Sequence, residues 1–264
     1  YFKSYEISKE TKNAIKNIEK KAINNCHRIL LSSKWALNKG KFKFKTLSYK
    51  FRLLHFGPSF KSSIRKNKIN KLISRRSKKK LSLITLSVNW ERKGLDKVIS
   101  LNRLLNNKGL DSHLTIIGVK NKKVRDKKIK IINFVNKNNI FGEKKISNNL
   151  IKSHFHILFS NSEAYGVSLV EANSRALPNI SFKVGGISQI VKKGINGMLF
   201  EKNVEPPLDI SGMPSARLAY GLRKLRSGYA GAALRIRRSS DDTETDVNFY
   251  NSKEVTLNSI GYCT

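Results

Sequence analysis

Between residues 81 and 200 short apolar runs alternate with amphipathic ones, and this alternation constrains the fold more than any other feature of the chain. Residues 81–88, 114–118 and 129–135 read as strands, as do the runs near 156–159, 179–182 and 198–200. Residues 95–106 set Leu95, Val98, Ile99, Leu101, Leu104 and Leu105 at helical spacing, and 146–152 reads as a short helix. Strands so short and so apolar are buried on both faces, which is the condition of a parallel sheet covered by helices. The expectation is an α/β fold: a doubly wound, Rossmann-like parallel sheet with right-handed crossovers. The chain has no internal repeat.

The segment 153–200 carries most of the chemistry. It reads as strand, loop, helix, strand, Gly-Gly turn and helix. Glu163 stands where the loop meets the helix, and Glu171 follows eight residues later. At 3.6 residues per turn, that spacing returns the second carboxylate to within about 80° of the first. Two acids on related faces of one helix, starting where a strand ends, suggest a ligand site at the carboxyl edge of the sheet. Glu171 lies between Leu169-Val170 and Ala172, and a carboxylate in an apolar run needs a partner, for which ribose hydroxyls are well suited. Lys93 sits beside Gly94 in the loop after the first strand, a compact charge suited to a diphosphate. Gly166 and Gly185-Gly186 each open a helix, where free N–H groups favour an anion. Taken singly, a lysine in so basic a chain is solvated and a glycine serves a turn. His154 and His156 face one side of a strand, where a metal is conceivable, but packed imidazoles in a buried strand are the reading taken. No Walker loop, Gly-x-Ser-x-Gly or Gly-x-Gly-x-x-Gly occurs.

Composition bounds the partners. The 264 residues carry a formal charge of +35, and 39% are hydrophobic, enough for a packed core. Such a charge attracts nucleic acid, acidic headgroups or phosphorylated ligands. Lysine, however, spreads through every element, and no aromatics interleave the basic run at 61–80 to stack bases. The charge therefore reads as compositional drift, with weak adhesion to anionic membrane as its consequence and no specific nucleic acid expected. Cys26 and Cys263 lie at opposite ends of the chain, which suits a reduced, cytoplasmic setting, peripheral at the membrane. No window holds 18 uninterrupted apolar residues. The chain begins at Tyr1 rather than Met, which reads as a fragment.

The flanks differ from this centre. Residues 5–25 read as a helix with Ile7, Ala14, Ile15, Ile18 and Ala22 on one face; 28–33 reads as a short strand, Trp35 opens a helix, and 52–58 reads as a strand ending in a turn. Residues 59–80 read as a solvated linker. Beyond 205, arginine replaces lysine: 206–264 holds six Arg and two Lys. Pro206-Pro207 and Gly212-Met-Pro mark a boundary, with β-like alternation at 232–238. The tail is too short to bury a core alone and reads as an incomplete unit.

The motifs together resemble a known family. Glu163-Ala-Tyr-Gly-Val-Ser-Leu-Val-Glu171 has the E-x7-E spacing of retaining, nucleotide-sugar-dependent glycosyltransferases of the GT-B fold, group 1. The run SVNWERKGLDKVISLNRLL resembles the family's KG-D strand–loop–helix. SHLTIIGV resembles its L-x-I-x-G strand, and EANSRALPNISFKVGGISQIVKKGINGMLF its closing pattern. The resemblance implies that 81–204 is the donor-binding, C-terminal GT-B domain and 1–58 a remnant of the N-terminal lobe. It implies transfer of a sugar from a nucleotide-sugar donor to a glycan, lipid or other hydroxyl acceptor with retention, with no metal and no separate cofactor. It further implies that Lys93 contacts the diphosphate, that Glu171 holds the ribose and that Glu163, the catalytic candidate, lies near the transferred sugar. Arg92, Gly94, Tyr165, Gly166 and Val167 complete the donor-binding set. The chain departs from the pattern at Ser87-Val88, where the family has Gly-Arg and Arg92 stands in, at Ala176-Leu177 before Pro178, and at Gln189, where an acid is usual. The tail from Leu208 resembles a β-sandwich module of phage tail proteins and arabinofuranosidase-like domains. The alternative function is an inactive, basic nucleic-acid or polyanion binder.

Overall fold

Every strand expected between residues 81 and 200 pairs in parallel with its neighbours. In the computed structural model, which describes residues 8–202 apart from 62–63, 65–70, 75, 78, 121 and 193–194, six of them form one sheet. They are β3 (Leu81–Leu86), β4 (Ser112–Ile117), β5 (Ile129–Ile132), β6 (Phe155–Leu158), β7 (Asn179–Phe182) and β8 (Gly197–Phe200). Their spatial order is β5-β4-β3-β6-β7-β8. The chain thus starts in the middle, builds outward to one edge, then returns and builds to the other, which is the doubly wound order with its reversal between β3 and β6. The tail expected to form a separate β unit lies outside the described residues.

A reversal of this kind sets a crevice outside the carboxyl ends of the two strands. β3 matches β4 along six positions, from Leu81↔Ser112 to Leu86↔Ile117, but matches β6 only at Leu83↔Phe155 and Ile84↔His156. The β3–β6 ladder ends at Ile84, and the loops that follow the two strands flank the crevice.

Successive residues pack on opposite faces of the sheet. Leu83, Leu114, Ile116, Phe155 and Ile157 pack under α3 (Leu95–Asn107), which buries Leu95, Val98, Leu101 and Leu105. On the opposite face Ile84 and Ile117 meet Ile146 and Leu150 of α4 (Ile140–Lys152) and Ala172 of α5 (Val167–Asn173). A short α6 (Ile187–Ile190) follows β7. All four residues of β6 and of β7 are buried, as a parallel sheet requires.

Three expectations change. The helix expected at 146–152 begins six residues earlier, because Asn139 caps it by accepting from the Gly142 amide at 2.7 Å. Its first residues, Ile140 and Phe141, are exposed, so the cap sets the start and burial of Ile146 and Leu150, worth about 2 kcal/mol each, holds the rest. The 59–80 stretch is not uniformly solvated: Phe60 and Arg76 are buried, and Arg76 donates to the carbonyls of Ile151 at 3.1 Å and Ala176 at 2.8 Å. The amphipathic first helix exists as α1 (Lys9–Asn25), yet it buries none of its residues, and Ile15 and Ile18 are exposed.

The remaining N-terminal elements are β1 (Ile29–Leu31), α2 (Lys34–Lys43), a 3₁₀ turn (Lys45–Lys50) and β2 (Phe51–Leu53). β1 and β2 form a two-stranded parallel sheet. Buried Lys50 donates to the carbonyls of Ile23 at 3.1 Å and Asn24 at 2.7 Å, placing a cation at the negative end of α1.

The paired imidazoles are structural. His154 Nδ1 accepts from the Ser82 amide at 2.9 Å, which leaves Nε2–H to donate to Ser77 O at 2.9 Å. His156 Nδ1–H donates to Asn179 Oδ1 at 2.8 Å, while the Asn179 amide donates to Asn173 Oδ1 and Leu169 O. Burial pushes both imidazoles down to about 4, their hydrogen bonds opposing it only in part. Both are therefore neutral in the fold and take up protons on unfolding below about pH 6.5, so stability is complete above that value and falls towards pH 4. We expect a loss of about 2 kcal/mol per imidazole by pH 5. Urea unfolding at pH 7 and pH 5 measures it; a stability unchanged over that interval contradicts the assignment.

Candidate functional site

Two loops meet over the crevice. The first follows β3 and ends at Gly94, the left-handed residue that caps α3. A side chain there would run into the carbonyl oxygen of Phe159, so glycine lets this turn lie against the end of β6. Asn89 Oδ1 accepts from the Arg92 amide at 2.8 Å and shapes the turn. The second loop, after β6, is stitched to the first: the Asn161 amide and Ser160 Oγ both donate to Arg92 O, at 2.8 and 3.1 Å.

This stitching brings Lys93, Arg92 and Glu163 together. Lys93 Nζ lies 2.5 Å from Glu163 Oε2, Arg92 Nη1 lies 3.5 Å away, and Ser160 Oγ donates to the same oxygen at 3.4 Å. Lys93 is buried, and burial lowers its pKa below the ordinary lysine value while the Glu163 carboxylate works against that shift. The result is a nearly enclosed ammonium and a second cation at the carboxyl edge, balanced by one carboxylate.

Glu163 does not lie on the helix. α5 begins only at Val167, after Gly166 at φ 104°, so the expected placement of both acids on faces of one helix is corrected. The Gly185-Gly186 turn holds the segment in place. The Gly186 amide donates to Glu163 O at 3.2 Å, and a side chain on Gly185, which is itself left-handed, would collide with that same oxygen. From the other side Ser33 Oγ donates to Ala164 O at 2.8 Å. Gln189, where an acid is usual, accepts from the Lys34 amide at 2.5 Å and tethers the start of α2. Tyr165 turns towards the N-terminal unit: its hydroxyl donates to Phe56 O at 2.8 Å and its ring stacks on His55.

Glu171 does sit on α5, fully buried. Ser59 Oγ and Lys137 Nζ, the latter at 2.5 Å, both donate to its Oε1. Its Oε2 is buried with no hydrogen-bond partner among the described residues. A buried carboxylate oxygen without a donor is costly, and it leaves an acceptor open to a hydroxyl. Ser59, Lys137 and Ser160 were not singled out from the sequence. Ser160 opens the Ser-Asn-Ser run that ends β6 and carried a weak signal; Ser59 and Lys137 reach Glu171 from 112 and 34 residues away and carried none. Among the described residues no group of three His, Cys, Asp or Glu side chains is placed to hold a metal.

Comparison with known proteins bears on the family and the fold. Residues 66–206, more than half of the 264, match the profile of the family described as Glycosyl transferases group 1. No curated protein matches the chain. Among solved structures the fold is shared with WaaG, a glycosyltransferase involved in lipopolysaccharide biosynthesis, at 16% identity and a TM-score of 0.52; the match covers 76% of this chain and 54% of WaaG. It is shared with Anabaena Alr3699/HepE, solved in complex with UDP and glucose, at 14% identity and a TM-score of 0.53, over 86% of this chain and 61% of that one. The pneumococcal O-GlcNAc transferase GtfA, in complex with UDP and GlcNAc, matches at 15% identity and a TM-score of 0.53, over 78% and 37%. The chain thus spans less than two thirds of the length of each of these proteins.

The clasp on Glu163 predicts a backbone-sensitive position. Gly185→Ala adds a side chain to a left-handed residue against a carbonyl oxygen, and we expect it to cost on the order of 3 kcal/mol. A urea-unfolding midpoint equal to that of the parent chain contradicts the clasp.

Proposed function

Because the chain belongs to the group 1 glycosyl transferases, with the parallel α/β fold of the GT-B enzymes, we propose that the crevice binds a nucleoside diphosphate sugar and that the protein transfers the sugar to an acceptor hydroxyl with retention of configuration. The observation that carries the reading is the buried, unpartnered Oε2 of Glu171, on the helix that starts at the switch-point loop. The vicinal hydroxyls of a ribose satisfy such an oxygen. The diphosphate takes the place of Glu163 on Lys93, with Arg92 as the second cation and the Gly166 and Val167 amides at the start of α5 alongside. Displaced from Lys93, Glu163 faces the sugar. Catalysis is then mainly positioning, with Lys93 stabilising the charge that develops on the leaving diphosphate.

In this reading residues 1–58 belong to the N-terminal lobe, which meets the acceptor, and the acceptor is a glycan, a lipid or another hydroxyl compound. Among the described residues no helix is long and apolar enough to cross a membrane. The +35 charge supports peripheral attachment to an anionic leaflet on the cytoplasmic side.

Calorimetric titration with UDP, GDP and ADP tests the site. One of them is expected to bind, with Glu171→Ala weakening it about 30-fold, the loss of roughly 2 kcal/mol of hydrogen bonding to a charged group. Lys93→Met is expected to erase the preference for diphosphate over monophosphate. Binding of none, or binding indifferent to Glu171→Ala, sinks the reading. The anomeric configuration of the product, read by NMR, tests retention separately.

A further inference from the structure

The two oxygens of Glu171 are treated unequally, and the inequality has identifiable causes. Oε1 receives both donors, Ser59 Oγ and Lys137 Nζ, and Lys137 Nζ also lies 3.4 Å from Ser59 Oγ. Oε2 receives none. A glutamate side chain turns easily about its last bond, so a carboxylate with no donors would present either oxygen in several orientations. Two donors on one oxygen fix the plane of the group and leave the other as the only open acceptor.

Ser59 is itself held in place by its neighbours. Phe60 is buried beneath the Arg175 guanidinium, 4.3 Å from its ring centre. The Lys61 amide donates to Glu143 Oε2 at 3.1 Å, and Arg175 Nη2 lies 4.0 Å from Glu143 Oε1. Arg175 Nε donates to Ser147 Oγ at 2.7 Å. The peptide following Ser59 is thereby locked onto α4 and α5 by a buried arginine and a buried glutamate, while Ser59 itself is exposed at the rim. Nothing in the packing of the core needs the Ser59 hydroxyl. Its one described acceptor is Glu171.

We infer that Ser59 and Lys137 are positioning residues of the nucleotide site, holding Oε1 so that Oε2 alone is presented to the ribose hydroxyls. This rests on the donor-site reading given above. Discrimination between a ribose and a sugar lacking its hydroxyls then depends on two side chains that need not touch the nucleotide. With the clamp intact, a dideoxy ligand leaves Oε2 buried and unpaired. With the clamp removed, Glu171 can rotate and find water, and the penalty against the dideoxy ligand shrinks.

The test is a ratio of affinities. UDP, GDP and ADP and their 2′,3′-dideoxy counterparts are titrated calorimetrically into the full chain, into Glu171→Ala, and into Ser59→Ala, Ser59→Thr and Lys137→Met. For the parent chain we expect the ribonucleotide to be preferred about 10–100-fold, the range set by one unpaired buried polar group. Ser59→Ala and Lys137→Met should each cut that preference at least threefold, and Ser59→Thr, which keeps the hydroxyl, should preserve it. A preference that survives in both clamp variants, with ribo- and dideoxy affinities falling in parallel, overturns the inference and leaves the donor site standing. Binding of none of the three diphosphates, a parent chain that binds both sugars alike, or a preference unchanged in Glu171→Ala overturns the donor-site reading itself. Ser59→Ala removes only an exposed hydroxyl, so it keeps the test valid should Lys137→Met fail to fold.

Discussion

The reversal of strand order between β3 and β6 is the constraint on which the site depends. Parallel strands joined by crossovers cannot be linked there by a hairpin, and the chain runs away from this point in both directions. The loops that emerge there must satisfy their own polar groups: Arg92 O is met by the loop after β6, Glu163 O by the Gly185-Gly186 turn and Ala164 O by Ser33. Every residue of the Lys93–Glu163 cluster is positioned by that mutual stitching. The glycines at 94 and 185 have the same cause: each marks a place where one loop's backbone passes too close to another's carbonyl for any side chain.

Two carboxylates serve the site, and the fold provides for them differently. Glu163 sits near the surface of the crevice with its charge answered by two cations on one oxygen, a pairing that a phosphate can exchange for its own. Glu171 is enclosed, and removing a charge from water so completely is tolerable only with a cation and a donor in contact. Lys137 and Ser59 supply these on one oxygen alone. In the proposed function, the asymmetry between a replaceable pair and a fixed one separates the phosphate end of the crevice from its sugar-ring end.

Much of the sheet was legible in the sequence, because a strand buried on both faces is rich in apolar residues, as Ile157, Leu158, Ile180 and Phe182 mark. The start of α4 was hidden because its signal is a single capping residue, Asn139, within a run containing Asn136 and Asn138 that looks like any loop. The two-acid pattern in 163–171 was visible, but its geometry was misjudged: Gly166 in the left-handed region takes Glu163 off the helix, and a glycine's conformation is not written in its spacing. Lys93 and Glu171 were legible from local context, a lysine beside a turn glycine and an acid among aliphatics. Ser59 and Lys137 were not, since a serine in a basic stretch and one lysine among so many carry no mark of the contact they make across the fold.

The half-satisfied state of Glu171 also bears on how this polypeptide balances conflicting demands. A sequence chosen for minimal frustration would complete the hydrogen bonding of a buried carboxylate or replace it with an aliphatic side chain of similar volume. The protein instead keeps this conflict, one of five buried side-chain polar atoms left without a partner among the described residues and the one of them that belongs to a carboxylate. If the proposed ligand brings its hydroxyl groups to that oxygen, the folded chain is at its most self-consistent in company rather than alone.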